Sequence, residues 1–405
     1  MKQIVIPATL DTKGEEVQYL KELIEENGCS ATVIDCSLRT CGGRNADIQV
    51  EELLAGIGVA CDDFTQFDKE QAIQIMQRAL NSKLAKLLNS EKIDGVISLG
   101  GVQGTVIATA AMQKLPVGLP KFMVSTVANG NTTFGPFVGV SDMAIMHSVV
   151  DIGGLNYVLR KILQEAAGAI CGMAKSRTDV KCSKKAVGIT MAGVTTPCVT
   201  HLTGLLKKQG YETLIFHCNG VGAHVMENLV ASGDISAVID ISPHDITDGL
   251  TGGLMPNYPE RLMPVADTDI PLIFVPGGMD FTLYNGTNRI PEEKKSRHYY
   301  KHNEIHTHVR ADYDEMKAAG TFVANRLADS HHAVVVIPLR GYSQKNCEGQ
   351  TIYDPAADRG FADAVRLGGL DVREVDAHIN DEFFAEQIMQ VFVEITGQSQ
   401  VEEVS

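Results

Sequence analysis

Residues 94–105, DGVISLGGVQGT, decide the fold. A β-rich run over 94–99 ends in Gly100 and Gly101 and passes straight into a helical stretch. A strand that feeds a helix through a glycine turn is half of a parallel βαβ unit. Working back from it, residues 3–8 and 31–36 read as strands. Between them, Val17, Leu20, Leu23 and Ile24 recur at helical spacing until Gly28 stops the helix. Helical patterns also fill 49–54 and 69–88. Working forward, 121–125 is a strand, followed by the segment 140–147 and a helix over 153–173. Residues 175–185, KSRTDVKCSKK, are polar and basic without apolar period and read as a linker. The alternation then restarts, with strands expected at 186–190, 213–216, 237–241, 272–275, 333–337 and 372–375, and helices fitting between them. The expected architecture is α/β: two doubly wound, Rossmann-like domains with mostly parallel sheets, over residues 1–180 and 185–397.

Length and charge agree. The chain has 405 residues, beyond the usual size of one hydrophobic core. A 44% hydrophobic fraction excludes a disordered chain, and a net charge of −15 argues against a phosphate-tracking surface for nucleic acid. The opening run of apolar residues is too short for a signal peptide or anchor, and no other stretch suits a membrane span. Nine scattered cysteines without a C-x-x-C pair suggest reduced thiols, so a cytoplasmic protein without a zinc site is expected.

In an open parallel sheet, ligands bind beyond the carboxyl ends of the strands, so strand-to-helix turns carry most of the functional signal. The turn Gly100-Gly101-Val102-Gln103-Gly104-Thr105 lets backbone approach an anion, with helix-start amides and the macrodipole behind it. It lacks the lysine and spacing of a P-loop, and a tight structural turn is the competing reading. The first turn, Thr9 to Gly14, offers Asp11 and Lys13 either as phosphate contacts or as a plain helix cap with a solvated lysine. Ser125, Thr126 and the stretch Asn129 to Thr132 add hydroxyl and amide groups at the next strand end. Asp35 ends the second strand, where an acidic ribose ligand or a cap belongs.

In the second half, His217, Asp280 and Arg340 follow three expected strands, with Asn219 on the His217 turn and Thr195 and Thr196 after the strand at 186–190. An imidazole, a carboxylate and a guanidinium on one rim suit acid–base work on an anionic metabolite. His302 joins them as a weaker candidate. The run 298–308 is rich in histidine, yet His302 and His306 share a face only in a helix, and H-E-x-x-H is absent.

The segments ATLDTKGEE (8–16), SLGGVQGT (98–105), LPVGLPKFMVSTVANGNT (115–132) and SDMAIMHSVVDIGGLN (141–156) resemble the Tm-1-like ATP-binding family. GVTTPCV (193–199), FHCNGVGAHVMENL (216–229), ADTDIPLIFVPGGMD (266–280) and YYKHN (299–303) extend the resemblance over nearly the whole chain. It implies two Rossmann-like domains, ATP in the first, with or without Mg2+, and a homodimer. It carries the nucleotide role onto Gly100, Gly101, Gly104 and Thr105, and by weaker matches onto Asp11, Lys13, Ser125 and Thr126. It implies no established reaction. Two functions are therefore expected in competition: an ATP-binding enzyme acting on a small anionic metabolite in the crevice between domains, or a nucleotide-responsive regulatory protein without catalysis.

Overall fold

The computed structural model describes residues 1–397 apart from 40, 43, 132–134, 179–184, 219 and 256–257. The chain divides into two compact units, Met1–Val180 and Lys181–Ser405. Helix Tyr157–Ser176 ends just before the division, and most of the expected linker lies outside the described residues, as do Thr132, Cys182 and Asn219. Among the described residues no helix is long and apolar enough to cross a membrane, and all eight cysteines are free thiols.

The first unit is one parallel sheet: β1 (Gln3–Ala8), β2 (Ser30–Asp35), β3 (Gly95–Gly100), β4 (Lys121–Ser125) and β5 (Ala144–His147), in the order β2-β1-β3-β4-β5. Alternation along each strand divides the core in two. Val5, Val96 and Met123 point to the face covered by helices Lys69–Asn89 and Val102–Met112. Ile4, Ile6, Ile97, Leu99, Phe122 and Val124 point to the opposite face, under helices Leu10–Glu26 and Tyr157–Ser176. Both faces of β3 are thus buried, which explains its unbroken apolar run. Asp68 and Gln71 form a capping box that starts the long helix at Lys69.

The second unit continues with β6 (Ala186–Met191), β7 (Glu212–His217), β8 (Ala237–Asp240) and β9 (Leu272–Phe274). Next come β10 (Phe281–Tyr284), β11 (Tyr299–Lys301) and β12 (Thr307–Arg310), and finally β13 (Ala333–Pro338) and β14 (Asp371–Val375). Six of these form a parallel sheet in the order β14-β13-β9-β8-β6-β7. The other three make a small antiparallel sheet, β10-β12-β11, that the sequence did not announce. His302 and His306 flank a hairpin turn, in which the amides of His302 and Asn303 donate to the His306 carbonyl at 2.9 and 3.2 Å. In both parallel sheets the first strand lies between the second and the third, β1 between β2 and β3, β6 between β7 and β8. That reversal of winding is the topological switch point, where the helices after neighbouring strands leave on opposite faces and open a crevice.

A buried charge cluster ties the connections of the second unit together. Arg261 is 2% exposed and donates to Glu227 Oε1 at 2.5 Å, Asp240 Oδ2 at 2.5 Å and Asp245 Oδ2 at 2.9 Å. Thr190 Oγ1 and the Leu262 amide add hydrogen bonds to Asp240 and Glu227, at 2.6 and 2.8 Å. Burial pushes the Glu227 and Asp240 carboxyls up, against the attraction of Arg261. Removing the one cation leaves three buried acids without compensation. Arg261→Met should therefore cost about 3–5 kcal/mol, read as a lower denaturation midpoint. A loss below about 1 kcal/mol, the value of a surface pair, would show that the cluster contributes little.

Candidate functional site

At the switch point of the first sheet, β1 and β3 deliver their turns side by side. A side-chain carbon at Gly100 would stand 3.0 Å from Gly104 Cα, so glycine is required there by a close backbone approach. Gly104 itself faces Thr9 Oγ1 across this contact, at 3.8 Å from the position of a Cβ, while Gly101 has room, with Thr126 Oγ1 at 3.7 Å. The helix Val102–Met112 begins at Gly101 with no side-chain cap, leaving its first amides for a ligand or water.

The hydroxyls expected to meet a nucleotide are engaged with each other. Thr105 Oγ1 donates to the Gly101 carbonyl at 2.8 Å and lies 2.7 Å from Ser125 Oγ. Ser125 Oγ also accepts from the Val127 amide at 3.2 Å, and the Thr126 amide donates to Gly100 O at 3.2 Å. These residues lock the two turns together. Lys13 Nζ donates to the Ile152 carbonyl instead of facing the glycine turn. Asp35 Oδ1 accepts from the Ser37 amide and hydroxyl at 2.9 and 2.5 Å, which is the capping role. Its Oδ2, like Asp11 Oδ1, is buried with no partner among the described residues.

Three residues that sequence reasoning passed over complete this rim. A cleft of about 330 Å3, within the usual range for small-molecule sites, is lined by Leu38, Arg39, Thr65, Phe67, Lys69, Ala72 and Gln103. Gln103 belongs to the glycine turn, so Arg39 and Lys69 bring cations beside it, and Phe67 brings an exposed aromatic ring. Only tertiary structure joins them, because the segments 38–39 and 65–72 are far from residue 103 in sequence.

In the second unit the four expected residues do not converge. His217 is exposed at the end of the edge strand β7, its Nδ1 3.1 Å from the Met191 carbonyl. Asp280 follows β9, three strands away, or about 14 Å at the ~4.8 Å strand spacing. Arg340 is exposed and held by both oxygens of Asp376, at 2.8 Å each. Strand ends share a rim, but β7 is its outer edge, and although β13 neighbours β9, the Arg340 side chain after it is taken by Asp376. Asp280 and His302 alone belong to a common neighbourhood, through His308 and Phe281.

That neighbourhood is built on residues the reading missed. His244 starts a helix after β8, the third strand of the switch point, whose end had been left unweighed. Its Nδ1 faces the Gly278 carbonyl at 2.7 Å, which assigns the ring proton to that nitrogen. Its Nε2 lies 3.4 Å from Asp248 Oδ1, out of line for a hydrogen bond. The rings of His244, Phe281, His308 and His302 follow one another at centroid distances of 4.4, 4.0 and 5.4 Å. Asp280 accepts at Oδ2 from Ser343 Oγ at 2.7 Å, while its Oδ1 is buried and unpartnered. Among the described residues no group of three or more His, Cys, Asp or Glu has the geometry of a metal site.

Burial pushes His308 from its ordinary value of 6.5 down to about 3, with His244, His302 and His306 adding positive charge. Between those values the unfolded chain binds the proton and the folded chain does not. Stability from His308 is therefore full above pH 6.5 and declines as pH falls toward 3. Thermal unfolding at pH 7 and pH 5 should show a drop that His308→Asn reduces. An equal drop in both proteins would mean that the ring titrates normally in the fold.

Two family models match the chain, the uncharacterised protein family UPF0261 N-terminal domain over residues 2–179 and its C-terminal domain over residues 184–396. A UPF0261 protein of Clostridium tetani is 37% identical over 95% of this chain and 96% of its own length. One from Rhizobium meliloti is 37% identical over 98% of this chain and its own full length. The tomato ToMV resistance protein Tm-1(GCR237) is 36% identical over 81% of this chain, which spans 45% of that longer protein. Among solved structures, an uncharacterized protein from Bacillus cereus aligns over 95% of this chain and 99% of its own at 12% identity, with a TM-score of 0.28, too low to carry an argument. Two domain models in series and relatives matching end to end leave one assignment: the chain belongs to UPF0261, a Tm-1-like family.

Proposed function

We propose that the first unit is a nucleotide-binding domain that takes ATP at the β1/β3 switch point, in a cytoplasmic protein that works as a homodimer. The observation that carries the reading is the glycine turn at 100–104, closely packed, uncapped and bordered by a cleft containing Arg39, Lys69 and Phe67. Helix-start amides and two cations suit phosphates, and an exposed aromatic ring suits a base. Mg2+ accompanying the nucleotide would be held by Asp11 Oδ1 and Asp35 Oδ2, hard oxygens that lack other partners, and would neutralise phosphate charge. Lys13, engaged with the Ile152 carbonyl, is not one of these two cations.

Isothermal titration with MgATP tests the reading. Gly101→Val keeps an allowed backbone, with φ at −78°, and meets only Thr126 nearby, so the fold should survive while binding falls by at least about tenfold. Arg39→Ala and Lys69→Ala should each lose about 1.5–3 kcal/mol, the value of a hydrogen bond to a charged group. Unchanged affinity in Gly101→Val and Arg39→Ala would move the site elsewhere. For the assembly, sedimentation should give twice the 43.7 kDa chain mass. A monomer mass at micromolar concentration would remove the dimer from the proposal.

A further inference from the structure

The second unit carries a set of buried polar atoms that the nucleotide reading does not use. His244 Nε2, Asp280 Oδ1 and His308 Nδ1 have no hydrogen-bond partner among the described residues, in residues that are 4%, 0% and 7% exposed. The rings of His244 and His308 both lie against Phe281, at centroid distances of 4.4 and 4.0 Å, and Asp280 is the residue before it in the chain. Buried polar atoms are ordinarily paired, and several orphans in one place call for a missing partner. With its proton committed to Gly278, His244 presents Nε2 as an acceptor, and Asp280 Oδ1 is an acceptor too. What they lack is a hydroxyl or similar donor.

The same rim offers the opposite chemistry a few residues away. Helices Thr196–Lys208 and His244–Thr251 both begin there without a side-chain cap. Their starts are joined by Thr195 Oγ1 and Ser242 Oγ, 2.5 Å apart. The position of a Gly278 Cβ lies 3.4 Å from Val194 and 3.6 Å from His244, so the turns after β6, β8 and β9 are in contact. At these starts Pro197 has no amide and the Ile246 amide donates to the Pro243 carbonyl at 3.1 Å, so the amides of His244 and Asp245 are the donors the second start offers a carboxylate.

We propose that this rim, at the β6/β8 switch point, binds a small hydroxy acid: its hydroxyl donates to Asp280 Oδ1 or His244 Nε2, and its carboxylate rests on the His244 and Asp245 amides that open the helix after β8. The site shares no residue with the ATP site of the first unit, and neither reading depends on the other.

Histidine-selective NMR of the full chain, 13C-labelled at Cε1, reads the site directly, with His244 and His308 signals assigned by their loss in His244→Gln and His308→Asn. Glycolate, lactate and malate are titrated against their deoxy counterparts acetate, propionate and succinate. At least one hydroxy acid should shift both signals saturably, with its deoxy counterpart binding at least about tenfold more weakly, because a site built for a hydroxyl rejects the analogue lacking it. Asp280→Asn should weaken binding by about tenfold. Ser343→Ala removes only the hydroxyl that orients Asp280, and should weaken it by a smaller factor, keeping the test readable if the first variant fails to fold. No saturable shift with any of the three acids, equal binding of a hydroxy acid and its deoxy counterpart, or unchanged affinity in both variants overturns the proposal. Loss or retention of ATP binding alters none of these outcomes.

Discussion

Everything functional in this chain follows from a parallel sheet whose first strand lies inside it. β1 bonds to β2 on one side and β3 on the other, and β6 bonds to β7 and β8 in the same way. Parallel pairing sends every carboxyl end to one rim, and the reversal of winding opens that rim between two neighbouring strands. The turns after β1 and β3, and those after β6 and β8, are therefore where backbone and side chains from distant segments meet. The glycine turn at 100–104 occupies the first position, and Thr195, Ser242 and His244 occupy the second.

The two rims resolve the same constraint differently. In the first unit the hydroxyls of Thr105 and Ser125 are spent joining turns, which leaves backbone amides, Asp11 and Asp35 as the free chemistry. Those groups have the chemistry that an anion and its counterion would need. In the second unit the space beyond β9 is covered by a small antiparallel sheet carrying His308, so that imidazole is drawn out of water and burial pushes its pKa down. Arg261 gathers Glu227 from the helix before β8, Asp240 from the end of β8 and Asp245 from the helix after it, and holds the turns after β8 and before β9 in place.

Much of the fold was legible because buried parallel strands and their helices write strong local patterns. Gly95–Gly100 is apolar on both faces, Val17, Leu20 and Ile24 mark one helix face, and Gly28, with φ at +69°, takes the left-handed conformation just past that helix. The antiparallel sheet was not legible. β11 has three residues and β12 four, too short for a period, and their histidines mask the alternation. The glycine turn was legible as a close-packed strand-to-helix turn because its geometry is local to a few residues. The cleft beside it was not, since Arg39 comes from one segment and Phe67 and Lys69 from another, both far from Gln103 along the chain.

The sequence by itself determined two α/β units, their boundary near residue 180 and the family, since these depend on composition, local periodicity and contiguous motifs. Strand order belonged to tertiary structure. All strand ends in a parallel sheet look alike along the chain, and only the order β14-β13-β9-β8-β6-β7 puts His217 on an outer edge and His244 at the switch point. Side-chain pairing was decided there too: Arg340 is taken by Asp376 and Lys13 by a carbonyl, while Asp280 keeps an oxygen free. The physical reason is that hydrogen-bond partners are chosen by distance in space, and a one-dimensional pattern carries information only about neighbours within a turn or a strand.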